Sequence, residues 1–466
     1  MFVPYDMTAN SWLQQARKFR DSAHPHLPAF RKEQLQILEN AIRINERAIL
    51  DALRLDLGKG EIEAYASEIG FVLADIHYAL KHLDDWTRPE RRHTPLGLKP
   101  AASSLHPQPY GLVLVIGPWN YPFALTLSPL VSAMAAGNSV CLKPSEEAPH
   151  TAKVIQGIIR EHFQPDYLTV IEGDAAIAES LVRLPFDKIF FTGSTAVGRR
   201  VMSAAAETLT PVTLELGGKS PCIICADADL SLAARRVAWG KFLNAGQTCV
   251  APDHVWVQAD CLRPWLEHLT RTIREFYGAD PRQSPDYGRI VNRRHLSRLT
   301  SYLETGRIEC GGQHDESQLY LAPTVLTDVP MTAPVMQEEI FGPILPVMPF
   351  DTLDEVVTHL RTRPHPLALY AFTNNRTTRT RLLSETVSGG VCFNDTVSHL
   401  LGRDLPFGGI GASGMGAYHG KTGFDTFTHY RSVLTRSARF ESRFIYPPTT
   451  IRLATLKRFY RFLMGG

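Results

Sequence analysis

Hydrophobic positions in the first 90 residues recur at helical spacing. Leu35, Leu38, Ile42, Ile49 and Leu53 form one stripe, and Ile69, Val72, Leu73, Ile76 and Leu80 form another. The region therefore reads as amphipathic helices. A Pro-rich, basic stretch over 88–109 breaks the period and reads as an exposed arm or an edge hairpin. Beyond it, short apolar runs at 112–116, 139–142, 168–171 and 188–191 alternate with helical patterns such as 151–163 and 175–184. Strand, helix and strand at this spacing imply parallel pairing with right-handed crossovers, the doubly wound α/β class.

A second α/β region opens near Leu216, just after a strand at 212–216. Its elements include a helix at 230–244, a strand at 254–257 and a helix at 264–277, and it closes near Gly411. The chain after that is less regular and ends in a basic amphipathic segment.

At 466 residues the chain is too long for one ordinary core, so two or three domains are expected. The near balance of 49 basic and 47 acidic residues argues against a nucleic-acid binder. The 17 His are scattered without metal-ligand spacing, so no metal is expected. No stretch reaches the roughly 20 apolar residues of a membrane span. Residues 1–10 show no basic segment followed by an apolar run, so no signal peptide is visible. A reducing cytoplasm with free thiols is expected for the seven Cys. Cys222 and Cys225 form a C-x-x-C in the apolar run 221–226, which favours strand packing over zinc or dithiol chemistry.

Several short segments carry candidate chemistry. In Asn244-Ala245-Gly246-Gln247-Thr248-Cys249 a thiol follows a long helix and lies in a polar turn. Flanking backbone dipoles there are expected to lower its pKa toward the nucleophilic thiolate; an ordinary packed Cys is the competing reading. In Leu214-Glu215-Leu216-Gly217-Gly218-Lys219 a carboxylate ends an apolar strand. Burial would raise its pKa toward that of a general base, the alternative being a solvated or ion-paired Glu. Phe191-Thr192-Gly193-Ser194-Thr195-Ala196-Val197-Gly198 reads as strand, glycine turn and helix start, suited to a pyrophosphate although it lacks the G-x-G-x-x-G spacing. In Pro118-Trp119-Asn120-Tyr121-Pro122 the Asn120 amide is placed to donate to an oxyanion, or is simply a turn Asn. Lys143-Pro144-Ser145-Glu146 suits ribose hydroxyls or a solvated helix start.

Together, over nearly the whole chain, these segments resemble the aldehyde dehydrogenase family. Cys249 follows Glu215 by 34 positions, as in that family. Glu338-Glu339-Ile340-Phe341-Gly342-Pro343, Val391-Cys392-Phe393-Asn394 and Pro406-Phe407-Gly408-Gly409 match as well. The finer resemblance is to the class 3 branch of fatty, aromatic and coniferyl aldehyde dehydrogenases. It rests on Cys249-Val250-Ala251-Pro252-Asp253-His254, Gly414-Met415-Gly416-Ala417-Tyr418-His419-Gly420, Tyr446-Pro447-Pro448 and the short N-terminus.

The resemblance implies an α/β aldehyde dehydrogenase fold with a Rossmann-type NAD(P)-binding domain at 1–97 and 111–215. A catalytic α/β domain at 216–411 and small antiparallel oligomerisation strands at 98–110 and 424–445 complete it. It further implies oxidation of an apolar or aromatic aldehyde to the acid through a Cys249 thioester. Asn120 and the Cys249 backbone N–H would hold the oxyanion, and Glu215 would activate the hydrolytic water. Trp119, Lys143 and Glu146 would meet the cofactor, with Lys143 and Glu146 on the adenosine ribose. Gly193, Ser194, Val197 and Gly198 would lie near the pyrophosphate, and Glu339 and Phe341 at the nicotinamide ribose. Glu146 should repel a 2′-phosphate and favour NAD, although class 3 enzymes also accept NADP. Tyr65, Trp119, Tyr121, Thr248 and Phe407 suggest an apolar, partly aromatic substrate funnel.

A homodimer without nucleic-acid partners is implied too. A non-catalytic scaffold would show erosion of at least one catalytic position, and none is eroded. A cysteine hydrolase would need a His partner for Cys249 and no cofactor turn. Finally, 451–466 reads as an amphipathic helix with Leu453, Leu456, Phe459, Tyr460, Leu463 and Met464 on one face and Lys457, Arg458 and Arg461 on the other. It suits an anionic membrane interface, or docking on the enzyme's own body, and is too short to span.

Overall fold

The computed structural model describes residues 9–22, 27–439, 446–448 and 451–463. Parts of the expected elements, at 1–8, 440–445 and 464–466, lie outside the described residues. The N-terminal stripes become helices Pro28–Ile44, Glu46–Leu57 and Gly70–Trp86. Leu35, Leu38, Ile42, Leu53, Val72 and Ile76 are fully buried on their inner faces. A π-helical turn, Tyr65–Ile69, joins the short helix Glu61–Ala64 to Gly70–Trp86 and contains the fully buried Glu68. The Pro-rich arm then forms strands β1 (Glu90–Arg92) and β2 (Ala101–Pro109).

The first large sheet uses β3 (Leu112–Ile116), β4 (Ser139–Lys143), β5 (Leu168–Val170), β6 (Lys188–Gly193) and β7 (Val212–Leu216). Helices Ala124–Ala136, Pro149–His162, Ala175–Val182 and Thr195–Ala206 connect them. The spatial order is β7-β6-β3-β4-β5, all parallel. Chain order thus reverses between β3 and β6, and that switch point opens a crevice beyond the strands' carboxyl ends. The strands run near-continuously apolar because helices cover both faces.

Only residues 217–220 separate β7 from β8 (Pro221–Ile224), the first strand of a second sheet. That sheet adds β9 (His254–Gln258) and β10 (Arg307–Cys310). A two-stranded ribbon of β11 (His314–Asp315) and β12 (Tyr320–Leu321) intervenes. Then β13 (Thr324–Thr327), β14 (Ile344–Phe350), β15 (Ala368–Phe372) and β16 (Gly390–Phe393) complete the order β10-β13-β14-β9-β8-β15-β16. Cys222 is buried in β8, and all seven cysteines are free.

The chain then returns to the first sheet, where β17 (Gly414–Met415) pairs antiparallel with β7. The last strand, β18 (Thr428–Arg436), runs antiparallel along the whole of β2, from Thr428 opposite Pro109 to Arg436 opposite Ala101. The expected helix 230–244 stops at Phe242, because Asn244 and Ala245 adopt left-handed backbone with φ of 52°. The C-terminal helix forms over Leu453–Leu463 with Leu453, Leu456, Phe459 and Tyr460 exposed. Among the described residues no helix is long and apolar enough to cross a membrane, and no group of side chains suits a metal.

Candidate active site

The crevice at the switch point is built from turns that demand small residues. Gly117 follows β3, and a Cβ there would fall 2.0 Å from Thr126 Oγ1. Gly193 ends β6, and Ser194 then caps helix Thr195–Ala206, its hydroxyl accepting from the Val197 N–H at 3.4 Å. The first N–H groups of a helix have no acceptor within the helix itself. Gly198 is buried against Leu216 rather than facing the crevice, a Cβ there lying 2.7 Å from the Leu216 side chain. From this end a cavity of about 810 Å³ runs past Trp119 and Asn120 to Cys249. Lys143, Glu146, Gly193, Ser194 and Val197 line its outer part. Lys143 is buried at the end of β4, and its Nζ donates to Glu146 Oε2 at 2.5 Å.

Glu215 lines the inner part from β7, paired with Thr192 of β6 on one side and Gly414 of β17 on the other. Gly414 has to be glycine: its φ is +140° and a Cβ would meet Leu214 O at 2.2 Å. Neither carboxylate oxygen of Glu215 has a hydrogen-bond partner, and burial raises its pKa well above the usual carboxylate value.

Glu339 enters the same wall. Its carboxylate lies over Gly217, where a Cβ would come within 2.0 Å of Oε2, and its Oε1 is buried without a partner. Burial, then the charge of Asp253, pushes its pKa up to about 8. The Glu339 loop is held from behind by main-chain contacts. Arg298 donates to the carbonyls of Glu339 (3.2 Å) and Ile340 (2.7 Å), and Asp253 accepts from the Ile340 N–H (2.8 Å). Lys219 pairs with Asp253 and donates to Glu338 O at 2.8 Å. Phe341 meets Trp119 edge to face, ring centroids 5.2 Å apart.

Cys249 follows three consecutive left-handed residues, Asn244, Ala245 and Gly246. A Cβ at Gly246 would meet Gly342 O at 2.2 Å, so only glycine fits. Gln247 staples the turn: its amide donates to Asn244 O (3.0 Å) and Arg289 O (2.9 Å) and accepts from the Val291 N–H (3.0 Å). The Asn120 side chain donates to Gln247 O at 2.9 Å, which ties it to the thiol's own loop and leaves its second amide hydrogen. The thiol does not behave as its turn suggested. Burial, with the charges of Glu339 and Glu215, pushes Cys249 up to about 12, and the local backbone N–H groups offset only part of this.

Of the five residues assigned to the substrate funnel, Trp119 and Phe407 line the cavity. Tyr121 and Thr248 are buried and spend their hydroxyls on each other at 2.7 Å, and Tyr65 is exposed outside the cavity lining. Nothing in the residue pattern pointed to Arg298 or to the Lys219–Asp253 pair. Glu68 did leave a signal, since it falls on the same helical stripe as Val72 and Ile76, where a carboxylate is out of place.

Comparison with known proteins fits this geometry. The aldehyde dehydrogenase family profile matches residues 6–433. The chain is 48% identical over 435 residues to the 4,4'-diaponeurosporen-aldehyde dehydrogenase of Staphylococcus aureus, spanning 93% of this chain and 95% of that protein. The chain belongs to the aldehyde dehydrogenase family. As a member it is an NAD(P)-dependent oxidoreductase that takes aldehydes to carboxylic acids. It is also 45% identical over 446 residues to the mouse aldehyde dehydrogenase called dimeric and NADP-preferring, covering 95% and 98% of the two chains. The match to a family 3 member A2 enzyme of Pongo abelii, 45% over 446 residues and 94% and 92% of the chains, accords with the class 3 resemblance. The structure of a substrate-bound Staphylococcus aureus AldH superposes with a TM-score of 0.95 at 46% identity, covering 97% of this chain and all of that one.

The raised thiol pKa has a measurable sign. Below about pH 10, each unit of pH should raise the thiolate fraction of Cys249, and its alkylation by iodoacetamide in the cofactor-free enzyme, by about tenfold. Peptide mass spectrometry separates Cys249 from the other thiols; a plateau below pH 9 would contradict the raised value.

Proposed function

We propose that this aldehyde dehydrogenase oxidises an apolar or aromatic aldehyde through a thioester on Cys249. The observation that carries the proposal is the meeting of Cys249, Glu215 and Asn120 in one cavity that continues to the helix start at Ser194. The residues present suit NAD(P). The cavity runs from Cys249 to the helix start at Ser194, where the first N–H groups suit the pyrophosphate, and Lys143 and Glu146 suit the adenosine ribose. The unpartnered Glu339 Oε1 suits the hydroxyls of the second ribose. When bound, NAD(P) supplies the hydride acceptor.

The protein's own groups account for the remaining steps. Burial disfavours the charge on Cys249 and on Glu215, and the charges of Glu339 and Glu215 further disfavour the thiolate. Sulfur attacks the carbonyl carbon as the thiol gives up its proton to solvent. The second Asn120 N–H and the Cys249 backbone N–H hold the oxyanion, each worth about 3 kcal/mol of barrier. After oxidation the carbonyl carbon stays on sulfur as a thioester. Glu215, as the carboxylate, then takes a proton from water, whose oxygen adds to the thioester; the adduct collapses, the acid is released and the departing sulfur takes up that proton. Trp119, Phe407 and Tyr418 on the cavity wall, with the Tyr121 and Thr248 hydroxyls spent on each other, support an apolar substrate.

The paired β2–β18 arm supports a homodimer, and the division into a cofactor half around the first sheet and a catalytic half around the second follows the crossing at 217–220. The exposed apolar side of Leu453–Leu463, with Lys457, Arg458 and Arg461 opposite, supports peripheral contact with an anionic membrane.

Cys249→Ala should abolish activity while Cys222→Ala and Cys225→Ala do not. Glu215→Gln should still release a burst of NADH and then stall as an acyl-enzyme visible by intact mass. Unchanged steady-state turnover in Glu215→Gln would remove Glu215 from deacylation. NAD should be used more efficiently than NADP, and Glu146→Ala should narrow the gap by roughly tenfold, the scale of one like-charge contact at a wet surface. A wild type preferring NADP would refute the charge argument. Full-length enzyme should sediment with anionic liposomes at low salt and a truncation after Pro448 should not. Equal sedimentation of the two would leave the helix to the enzyme's own body or a second subunit.

A further inference from the structure

Beneath the reactive groups, and outside the cavity lining, lies a buried ion pair with no role in the chemistry above. Lys59 and Glu68 are fully buried, Nζ to Oε1 2.5 Å. Both spend their remaining valences on one segment. Lys59 Nζ donates to the Asn120 carbonyl at 3.1 Å and sits 3.9 Å above the Tyr121 ring. Glu68 Oε2 accepts from the N–H groups of Phe123 (3.0 Å) and Ala124 (2.8 Å). The pair therefore grips residues 120–124 at both ends, from a single connection that includes the π-helical turn Tyr65–Ile69.

That connection also reaches the thiol's loop. Glu63 Oε1 accepts from the N–H of left-handed Asn244 at 2.9 Å. Asn244 Nδ2 in turn donates to the same Asn120 carbonyl at 2.7 Å. The Asn120 peptide oxygen is thus fixed by two donors, Lys59 and Asn244, while its side chain is fixed on Gln247 O. An amide held this way has little freedom to rotate, and its remaining N–H keeps one direction. π-turns recur at functional sites because the extra residue re-aims a side chain without ending the helix.

We propose that Lys59 and Glu68 are positioning residues for acylation: as a pair they set the direction of the Asn120 amide toward the oxyanion on the Cys249 adduct. The proposal rests on the reading of Asn120 as the oxyanion donor. Neither residue touches substrate or cofactor, so both act through the 120–124 segment. Displacing that amide by about 1 Å should slow acylation by about 100-fold, with little effect on cofactor binding.

The test is a mutant cycle read by the NADH burst. Removing one partner alone would leave a buried charge unpaired and threaten the fold, so the principal variant is the double Lys59→Met/Glu68→Gln, which removes both charges together. Its burst rate constant should fall by about 10- to 100-fold, with the NAD dissociation constant and the melting temperature close to wild type. Asn120→Ala in the wild-type background should cost about 100-fold or more. Added to the double variant, Asn120→Ala should cost little further, because the amide is already misdirected. Lys59→Arg, which keeps the charge, should retain most of the burst rate. If that double variant does not fold, Lys59→Gln/Glu68→Gln, which also removes both charges but keeps an amide donor and an amide acceptor in their place, enters the same cycle.

A burst rate within twofold of wild type in the charge-free variant overturns the inference, as do losses that multiply independently with Asn120→Ala. So does a fall that follows weaker NAD binding. If Asn120→Ala itself leaves the burst unchanged, the oxyanion reading fails first and takes this inference with it.

Discussion

The left-handed run Asn244-Ala245-Gly246 is the constraint on which the thiol's position depends. Non-glycine residues in that backbone region cost roughly 1–2 kcal/mol each, so the run persists only because its surroundings hold it. Glu63 and Asn120 anchor Asn244, Gln247 closes on Arg289 and Val291, and Gly246 sits against Gly342 O. One strained turn thereby ties together the segment after β3, the helical N-terminal region and the loop that carries Glu339. Residues 217–220 bring the end of β7, with Glu215, to the start of β8.

Electrostatics separate the reactive groups from the structural ones. Asp253 and Glu215 are both deeply buried. Burial raises the Asp253 pKa, yet Lys219, His254 and Lys241 outweigh it and hold the carboxyl well below the usual range. Glu215 has no such partner, so burial alone decides and its pKa moves the other way. Cys249 and Glu339, partly buried at the cavity wall, have no cation hydrogen-bonded to them, and desolvation raises both. Paired acids fasten loops; unpaired acids at the cavity wall retain protons they can exchange, the pattern expected where acid and base chemistry is done.

The sequence disclosed more of the reactive set than of its support. Strand limits at 112–116 and 212–216 were readable because covered parallel strands are continuous apolar runs bounded by glycine or polar turns. Asn120, Glu215 and Cys249 stood out because each polar residue ends or follows an apolar element, where a buried polar group needs a reason. The break at Asn244 was not readable: left-handed backbone there depends on Glu63, 181 residues distant along the chain. The raised thiol pKa is hidden from the sequence for a related reason. Local dipoles are visible in a hexapeptide, whereas two carboxylates arriving from Glu215 and Glu339 are not. Tyr121 and Thr248 looked like lining residues until the fold turned their hydroxyls toward each other.

Why the support beneath Asn120 is ionic follows from the helix that begins there. Helix Ala124–Ala136 has no side-chain cap, Phe123 occupying the cap position. Its first N–H groups need acceptors that a helix cannot supply to itself. Placed in the core, those groups would cost more unsatisfied than a hydrophobic contact returns. Glu68 meets two of them with one carboxylate, at the end of the helix where a negative charge is favoured. A carboxylate so deep needs a cation, and Lys59 supplies it while spending another hydrogen on the Asn120 carbonyl. Apolar residues of the same volume would fill this space without satisfying a single one of these backbone groups. The charges are therefore a consequence of where the helix starts, and the helix starts there because Asn120 must face the thiol.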